Sequence, residues 1–325
     1  MKCNLVVVMG ALVASAVTVE GQASQCNSSV APQQNACNMG VDLFNYMAPQ
    51  LGAVIAGGNT TLGQGGTMGG FPRFAISLRA NALAGSLPQL RSYTPFYSPN
   101  PLSNTSAQTV PTKNQVLAMP VVDASIGVFP GLSLGVTRVG GIDALVNVSY
   151  IPEYNGGGVT VKTPNGSTKF GYGVRVGVLQ EGLLTPGIGV SYVKRDLPTV
   201  DIHATAGQNS IDVNALDAKT TSWRVTASKS FLLYGLALGG GQDKYESSAS
   251  ISGVAPPYVP ATANVSQSLT RTNYFADVYM NMMLAKLVAE IGTTSGGKVA
   301  TYNTFSGKPA DASRLYGSLG LRIGF

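Results

Sequence analysis

The chain holds a single histidine, so any histidine chemistry rests on His203. Asp201 stands two positions before it, and on a strand that spacing puts both side chains on one face. A general base and the group that orients it need such an arrangement, as in a hydrolase. No serine or further acid motif accompanies the pair, and an exposed strand-end histidine is the simpler expectation. The sequence carries no phosphate loop, dinucleotide fingerprint, zinc signature or calcium loop. Gly156 to Gly158 and Gly239 to Gly241 lack the lysine or helix that phosphate binding needs, and are expected to permit bulges or tight packing. Cys26 and Cys37, with no histidine nearby, make a poor metal set. They read instead as one disulfide formed in an oxidising compartment. No enzymatic activity, cofactor or metal is expected. Nucleic acid is not implied either, because the net charge of +6 comes without a basic cluster interleaved with aromatics.

Eight charged residues carry more weight: Arg79, Asp123, Asp143, Arg175, Arg224, Asp277, Glu290 and Arg322. Most of them fall on the polar side of segments that alternate with period 2. Phe170, Tyr172, Val174, Val176 and Val178 oppose Gly171, Gly173, Arg175 and Gly177. Trp223, Val225 and Ala227 oppose Arg224, Thr226 and Ser228; Tyr274, Ala276, Val278 and Met280 oppose Asp277 and its neighbours. The same pattern recurs over Phe74–Arg79, Val122–Val128 and Leu287–Gly292. Period 2 means strands with one apolar and one polar face. In a membrane barrel the apolar face meets lipid and the polar face lines the lumen, so these eight are expected to line it. Four arginines against four acids disfavour a strongly ion-selective pore, and pairing into bracing ladders is the favoured role over steering solutes.

Composition agrees. Charged residues make up 11% of the 325, against roughly 25% in soluble globular proteins. Mean hydropathy is +0.17, yet no apolar run reaches the roughly 18 residues of a membrane helix. A helix bundle, a highly charged disordered chain and an ordinary cytosolic enzyme all fit poorly. Tyr150, Tyr192, Trp223 and Tyr234 stand near strand ends, where an interfacial girdle belongs.

The two ends point to export. Lys2 followed by the apolar run Leu5–Val13 and small residues reads as a secretory signal, cleaved after Ala23 in preference to Ala16. At the other end Leu315, Gly317, Leu319, Leu321, Ile323 and Phe325 alternate with Tyr316, Ser318, Gly320, Arg322 and Gly324. This segment resembles the C-terminal strand signature of Gram-negative outer-membrane β-barrels. The resemblance implies that Leu319, Leu321, Ile323 and Phe325 are read by the barrel-assembly machinery, and that the protein sits in outer-membrane lipid.

The expected architecture is all-β: an antiparallel transmembrane barrel of about twelve strands (ten to fourteen) with a short N-terminal helical segment. Residues 1–23 form the signal, 24–70 a disulfide loop, helical plug or spacer and Gly-rich linker, and 71–325 the barrel. Short turns are expected near Pro130–Gly131, Glu181–Pro186, Phe231–Leu233 and Leu284–Lys286, and longer outer loops at 204–217, 252–265 and 305–311. Asn165–Gly166 signals a hairpin between Val159–Val161 and Lys169–Tyr172, and counting 158–164 as a crossing brings the total to twelve. Val41, Phe44, Met47, Leu51, Val54 and Ile55 recur at helical spacing, with a break expected at Pro49. A helical segment ahead of a mid-sized barrel is similar in organisation to the fatty-acid and aromatic-hydrocarbon transporter group. That likeness implies a passive channel or transporter for small solutes, lipid-like ones included, gated by the helix. A closed structural or surface-interaction barrel is the alternative. An outer-membrane hydrolase resting on His203 comes last.

Overall fold

The computed structural model describes residue 26 and residues 31–90, 108–156, 159–206 and 208–324. The expected signal 1–23, the terminal Phe325 and the middle of the Pro-rich stretch 84–117 lie outside the described residues.

Ten strands build the wall: β1 (Phe74–Pro88), β2 (Thr112–Phe129), β3 (Gly141–Tyr150), β4 (Thr168–Leu179), β5 (Gly187–Asp196), β6 (Asn209–Phe231), β7 (Tyr234–Val254), β8 (Ala261–Met282), β9 (Ala285–Ser295) and β10 (Arg314–Gly324). Neighbours in sequence pair antiparallel, β5 pairs with β6 through Val190 and Val225, and β10 returns to β1 with Ile323 opposite Ile76. Hydrogen bonds therefore run round a ring of ten strands, with β8 paired to β9 from Thr272 inward and only to β7 further out. Ten crossings is the lower end of the expected range. The segment counted toward twelve is instead Val159–Lys162, which pairs with Tyr154–Gly156 and with Val200–Ala206 in a flap beside the wall. The Asn165–Gly166 turn does form, with the Gly166 N–H bonded to Thr163 O at 3.0 Å and Gly166 at φ +92°. The strands flanking it pair elsewhere, so it closes no hairpin.

Burial alternates along every crossing, with polarity inverted relative to a soluble protein. Ile76 and Leu78 are exposed while Ser77 and Arg79 are buried; Leu319, Leu321 and Ile323 are exposed while Ser318 and Arg322 are buried. No described helix is long and apolar enough to cross a membrane; the crossing is made by strands. The connections joining β4 to β5, β6 to β7 and β8 to β9 are short, while that joining β2 to β3, expected as a short turn at Pro130–Gly131, carries a small hairpin of Leu132–Leu134 and Thr137–Val139. They mark the periplasmic end, and the tips Leu183, Leu232 and Met283 are exposed there.

Strands β6, β7 and β8 run to 23, 21 and 22 residues, about twice the 9–11 that a tilted crossing needs. The segments 204–217 and 252–265, expected as loops, are mostly the outer halves of these strands. The alternation of burial keeps its phase along them while the chemistry of the two faces exchanges. Near the periplasm Tyr234, Leu236 and Leu238 of β7 point out and Asp243 points in; further out Lys244, Glu246 and Ser248 face solvent while Tyr245, Ala249 and Ile251 are buried. On β8 the outward Tyr274 and Val278 give way to Ser266 and Ser268, and the inward Asp277 and Asn273 to Leu269 and Val265. Lipid demands an apolar exterior and water a polar one, so the switch, near Trp223, Gly240 and Tyr274, marks the outer membrane boundary. Leu236→Arg is expected to cost about 2–4 kcal/mol and Ser248→Arg, on the same face beyond the switch, no more than about 1 kcal/mol. Urea unfolding from lipid vesicles measures both, and equal costs would remove the boundary from this position.

Candidate functional site

The lumen is filled by the chain's own N-terminal segment. Its helix α1 (Ala31–Ala56) starts at the outer end, where the Cys26–Cys37 disulfide packs on Ala261 and Ala263 of β8. From Gly57 the Gly-rich stretch continues along the axis to Gly70, which meets Pro130 at the periplasmic turn between β2 and β3. The chain then turns at Phe71–Pro72 into β1. The segment thus threads the barrel from its outer mouth to its periplasmic mouth.

The helix is continuous through Pro49, contrary to the expected break. Proline removes the N–H that would bond the Asn45 carbonyl, a loss worth about 3 kcal/mol in a helix interior. Here Gln267 Nε2 of β8 reaches that carbonyl at 3.4 Å. Of the residues expected to form the plug's apolar face, Phe44 packs with Leu216, Ala249, Ile251 and Val265, joined by Val41 and Leu51. Val54 and Ile55 pack lower, with Leu83, Met119, Tyr245 and Phe275; Met47 is half-buried. Gly52 lies so close to the wall that a Cβ there would fall 2.4 Å from Tyr245 Cγ, which fixes glycine at that contact.

A second stripe of α1 is polar, and the sequence reading passed over it. Asp42, Tyr46 and Gln50 recur every four residues and are all buried. Asp42 accepts the N–H groups of Tyr302 and Asn303 at 2.7 and 2.8 Å. Burial pushes its carboxyl up from the usual range, opposed by those same bonds. The Tyr46 hydroxyl donates to Lys308 O at 3.0 Å, and its ring stacks on Phe305. Gln50 exchanges two bonds with the backbone of Ser86 on β1. The β9–β10 connection thereby closes over the helix.

A helix ends with carbonyls that have no intrahelical donor, and with the negative pole of its dipole. The end of α1 meets three buried arginines. Arg79 Nη1 donates to Gly57 O at 2.7 Å, Arg195 Nη1 to Ala56 O at 3.1 Å, and Arg224 to Ala56 O and Gly58 O at 2.5 and 2.9 Å. Asn81 Nδ2 adds bonds to Val54 O and Gly57 O. Asp123 pairs with Arg79 at 2.5 Å and Asp243 with Arg224 at 3.3 Å. Below, the roles reverse and carboxylates take up the N–H groups of the Gly-rich stretch. Glu290 accepts from Asn59 at 2.8 Å, Asp277 from Gly63 at 3.0 Å and Asp143 from Met68 at 3.1 Å. Arg175 pairs with Asp143 at 2.6 Å and donates to Gln64 O, and Arg322 donates to Thr61 O at 2.9 Å. Gly65 passes so close to the wall that a Cβ would lie 2.2 Å from Gly187 O.

All eight charged residues singled out from the sequence are therefore buried inside the ring, and seven bond the backbone of the N-terminal segment directly. The eighth, Asp123, holds Arg79. Sequence reasoning missed Arg195, Asp243 and Asn81: Asn81 follows Arg79 on the same face of β1, whereas β5 and β7, which carry Arg195 and Asp243, had no inward charge assigned from the sequence. The pair Asp201 and His203 does not form. Cross-strand register puts Asp212 opposite His203, and its Oδ1 lies 2.5 Å from His203 Nδ1 on an exposed outer strand. Asp201 instead accepts the Ala215 N–H at 2.7 Å. Among the described residues no three His, Cys, Asp or Glu side chains come together as a metal site.

No family model and no curated protein matches the chain. Solved structures do. The outer membrane protease OmpT of Escherichia coli aligns over 78% of this chain and 96% of its own, at 10% identity and a TM-score of 0.42. Ail, the attachment invasion locus protein of Yersinia pestis, covers 78% and 98% at 10% identity and 0.29. The outer membrane channel DcaP of Acinetobacter baumannii covers 78% and 96% at 11% identity and 0.19. These likenesses carry no argument by themselves; the ring of ten antiparallel strands, apolar outside and polar within, is what makes this chain a transmembrane β-barrel.

Proposed function

We propose that the protein is a closed outer-membrane barrel that works through its outer surface and conducts no solute in the form described here. One observation carries this reading: seven of the eight lumen charges, Asp123 excepted, are bonded to the backbone of the N-terminal segment over the stretch from Ala56 to Met68. In an open pore such groups would face water and passing solutes. The rigid outer halves of β6, β7 and β8, polar outside and packed on α1 within, supply a platform standing clear of the bilayer. About ten extra residues per strand, at roughly 3.3 Å each and with barrel tilt, raise it on the order of 25 Å.

A gated transporter for lipid-like solutes is the second reading, favoured by the segment's being held by hydrogen bonds and packing, with no covalent tie below the disulfide. It requires those bonds to break together on each cycle. A hydrolase centred on His203 finds least support, since its partner pair lies exposed on an outer strand. Single-channel recording of the refolded protein in a planar bilayer separates the first two readings. The closed barrel is expected to be silent; steady openings of the intact protein would overturn it.

A further inference from the structure

At the periplasmic mouth a cavity of about 350 Å3 opens beside Met68, Arg73, Glu181, Met283, Lys286 and Arg322. Lys286 of β9 and Arg322 of β10 stand directly opposite each other in register on the inner face. Like charges at such a position destabilise a sheet unless something neutralises them. No ion pair does so: among the described residues the carboxylates of Glu181 and Asp277 act on Lys286, and that of Asp143 on Arg322, only from beyond contact. Arg322 is buried, and while Nη1 is satisfied by Thr61 O, Nη2 rests 2.7 Å from the Met68 sulfur. A thioether is a weak acceptor for a guanidinium. The Lys286 ammonium lies 4.1 Å from the centre of the Tyr279 ring, which attracts a cation without neutralising it. Glu181, the acid at the cavity, is engaged elsewhere, accepting the Ser230 N–H at 2.6 Å and the Ser228 hydroxyl at 3.1 Å. The outer lip of the cavity is apolar: Met283 is fully exposed and Leu284 is 65% exposed, next to the lipid-facing Met282.

We propose that this cavity binds the phosphate of an anionic phospholipid from the periplasmic leaflet, with Arg322 and Lys286 donating to the phosphate oxygens and Met283 and Leu284 lying along the acyl chain. A guanidinium and an ammonium converging on one cavity suit a tetrahedral oxyanion with several acceptors. The anion neutralises the opposed cations and gives Arg322 Nη2 a full acceptor in place of sulfur. Free phosphate has the same oxygens, but it leaves the apolar lip uncovered. The site is independent of the outer-surface reading, because it lies at the opposite end of the barrel.

Thermal unfolding of the full-length protein in a neutral detergent, titrated separately with phosphatidylglycerol, phosphatidylcholine and inorganic phosphate, tests the site. Phosphatidylglycerol is expected to raise the midpoint saturably, the other two at least tenfold less effectively. Lys286→Gln is expected to weaken the phosphatidylglycerol response about tenfold, while the midpoint without lipid stays unchanged or rises as the like-charge pair is relieved. Lys286→Met, which keeps a contact with Tyr279, provides the same comparison if the amide disturbs folding. Equal responses to the two lipids, or an undiminished response in both variants, would overturn the site. Inorganic phosphate acting as strongly as phosphatidylglycerol would overturn its assignment to lipid.

Discussion

A barrel lacking residues 38–70 conducts: in a planar bilayer it shows steady openings where the intact protein is silent. The deletion removes the lower two thirds of α1 and the whole Gly-rich stretch, which together occupy the axis from the outer platform to the periplasmic turns. What remains is a ten-strand ring with an inner face of Arg79, Arg175, Arg195, Arg224 and Arg322 against Asp123, Asp143, Asp243, Asp277 and Glu290. Deprived of the backbone groups they now bond, these side chains must be hydrated, because burying an unsatisfied charge costs far more than admitting water. A water column follows, and with it current. The near balance of signs predicts weak ion selectivity, read from the reversal potential in a salt gradient. A correctly folded deletion barrel that stays silent would remove the segment from its role as plug.

Arg224→Met is expected to destabilise the barrel by about 3–5 kcal/mol, the usual result of removing one partner of a buried pair. Arg224 is 4% exposed and holds two carbonyls at the end of α1 as well as Asp243. Its loss leaves Asp243 with Asn273 as its donor, at 2.9 Å. The double variant Arg224→Met, Asp243→Leu is expected to recover part of the loss, since it removes the stranded carboxylate and leaves only the carbonyls to be satisfied by Arg195. Unfolding midpoints in urea, with and without the second substitution, give the coupling between the two residues. A single variant within about 0.5 kcal/mol of the parent would show that the arginine cluster is not what holds the helix end.

The fold was legible wherever one rule governed a whole strand. Within the bilayer, apolar-out and polar-in alternation holds for every crossing, so the inward positions of Arg175 or Asp277 followed from parity alone. The outer halves of β6, β7 and β8 were not legible by that rule. Past the boundary the preferred faces exchange, and residues such as Asn264 outside and Val265 inside read as loop when lipid polarity is assumed throughout. The Val159–Lys162 segment misled the count for a different reason. It is a true strand with a true turn, and nothing local distinguishes pairing in a flap from pairing in the wall. The site was half legible. Parity found the lumen charges, but their partners are backbone carbonyls and N–H groups of residues 56–68, which have no sequence signature beyond glycine content. His203 shows the limit of same-strand spacing: its partner is set by the opposite strand, through Asp212.

The threaded axis bears on how such a molecule is made. A finished hoop admits no chain whose far end is already tied into a loop, as Cys26 and Cys37 tie theirs. The wall must therefore be wound around the N-terminal segment and joined last, β1 to β10, as a cooper closes staves about a form. In that light the bonds from Arg79, Arg224, Asp143 and Glu290 to the segment act as a gauge. They set the bore before the hoop closes, and a chain carrying the wrong form would be expected to leave its two end strands unmatched.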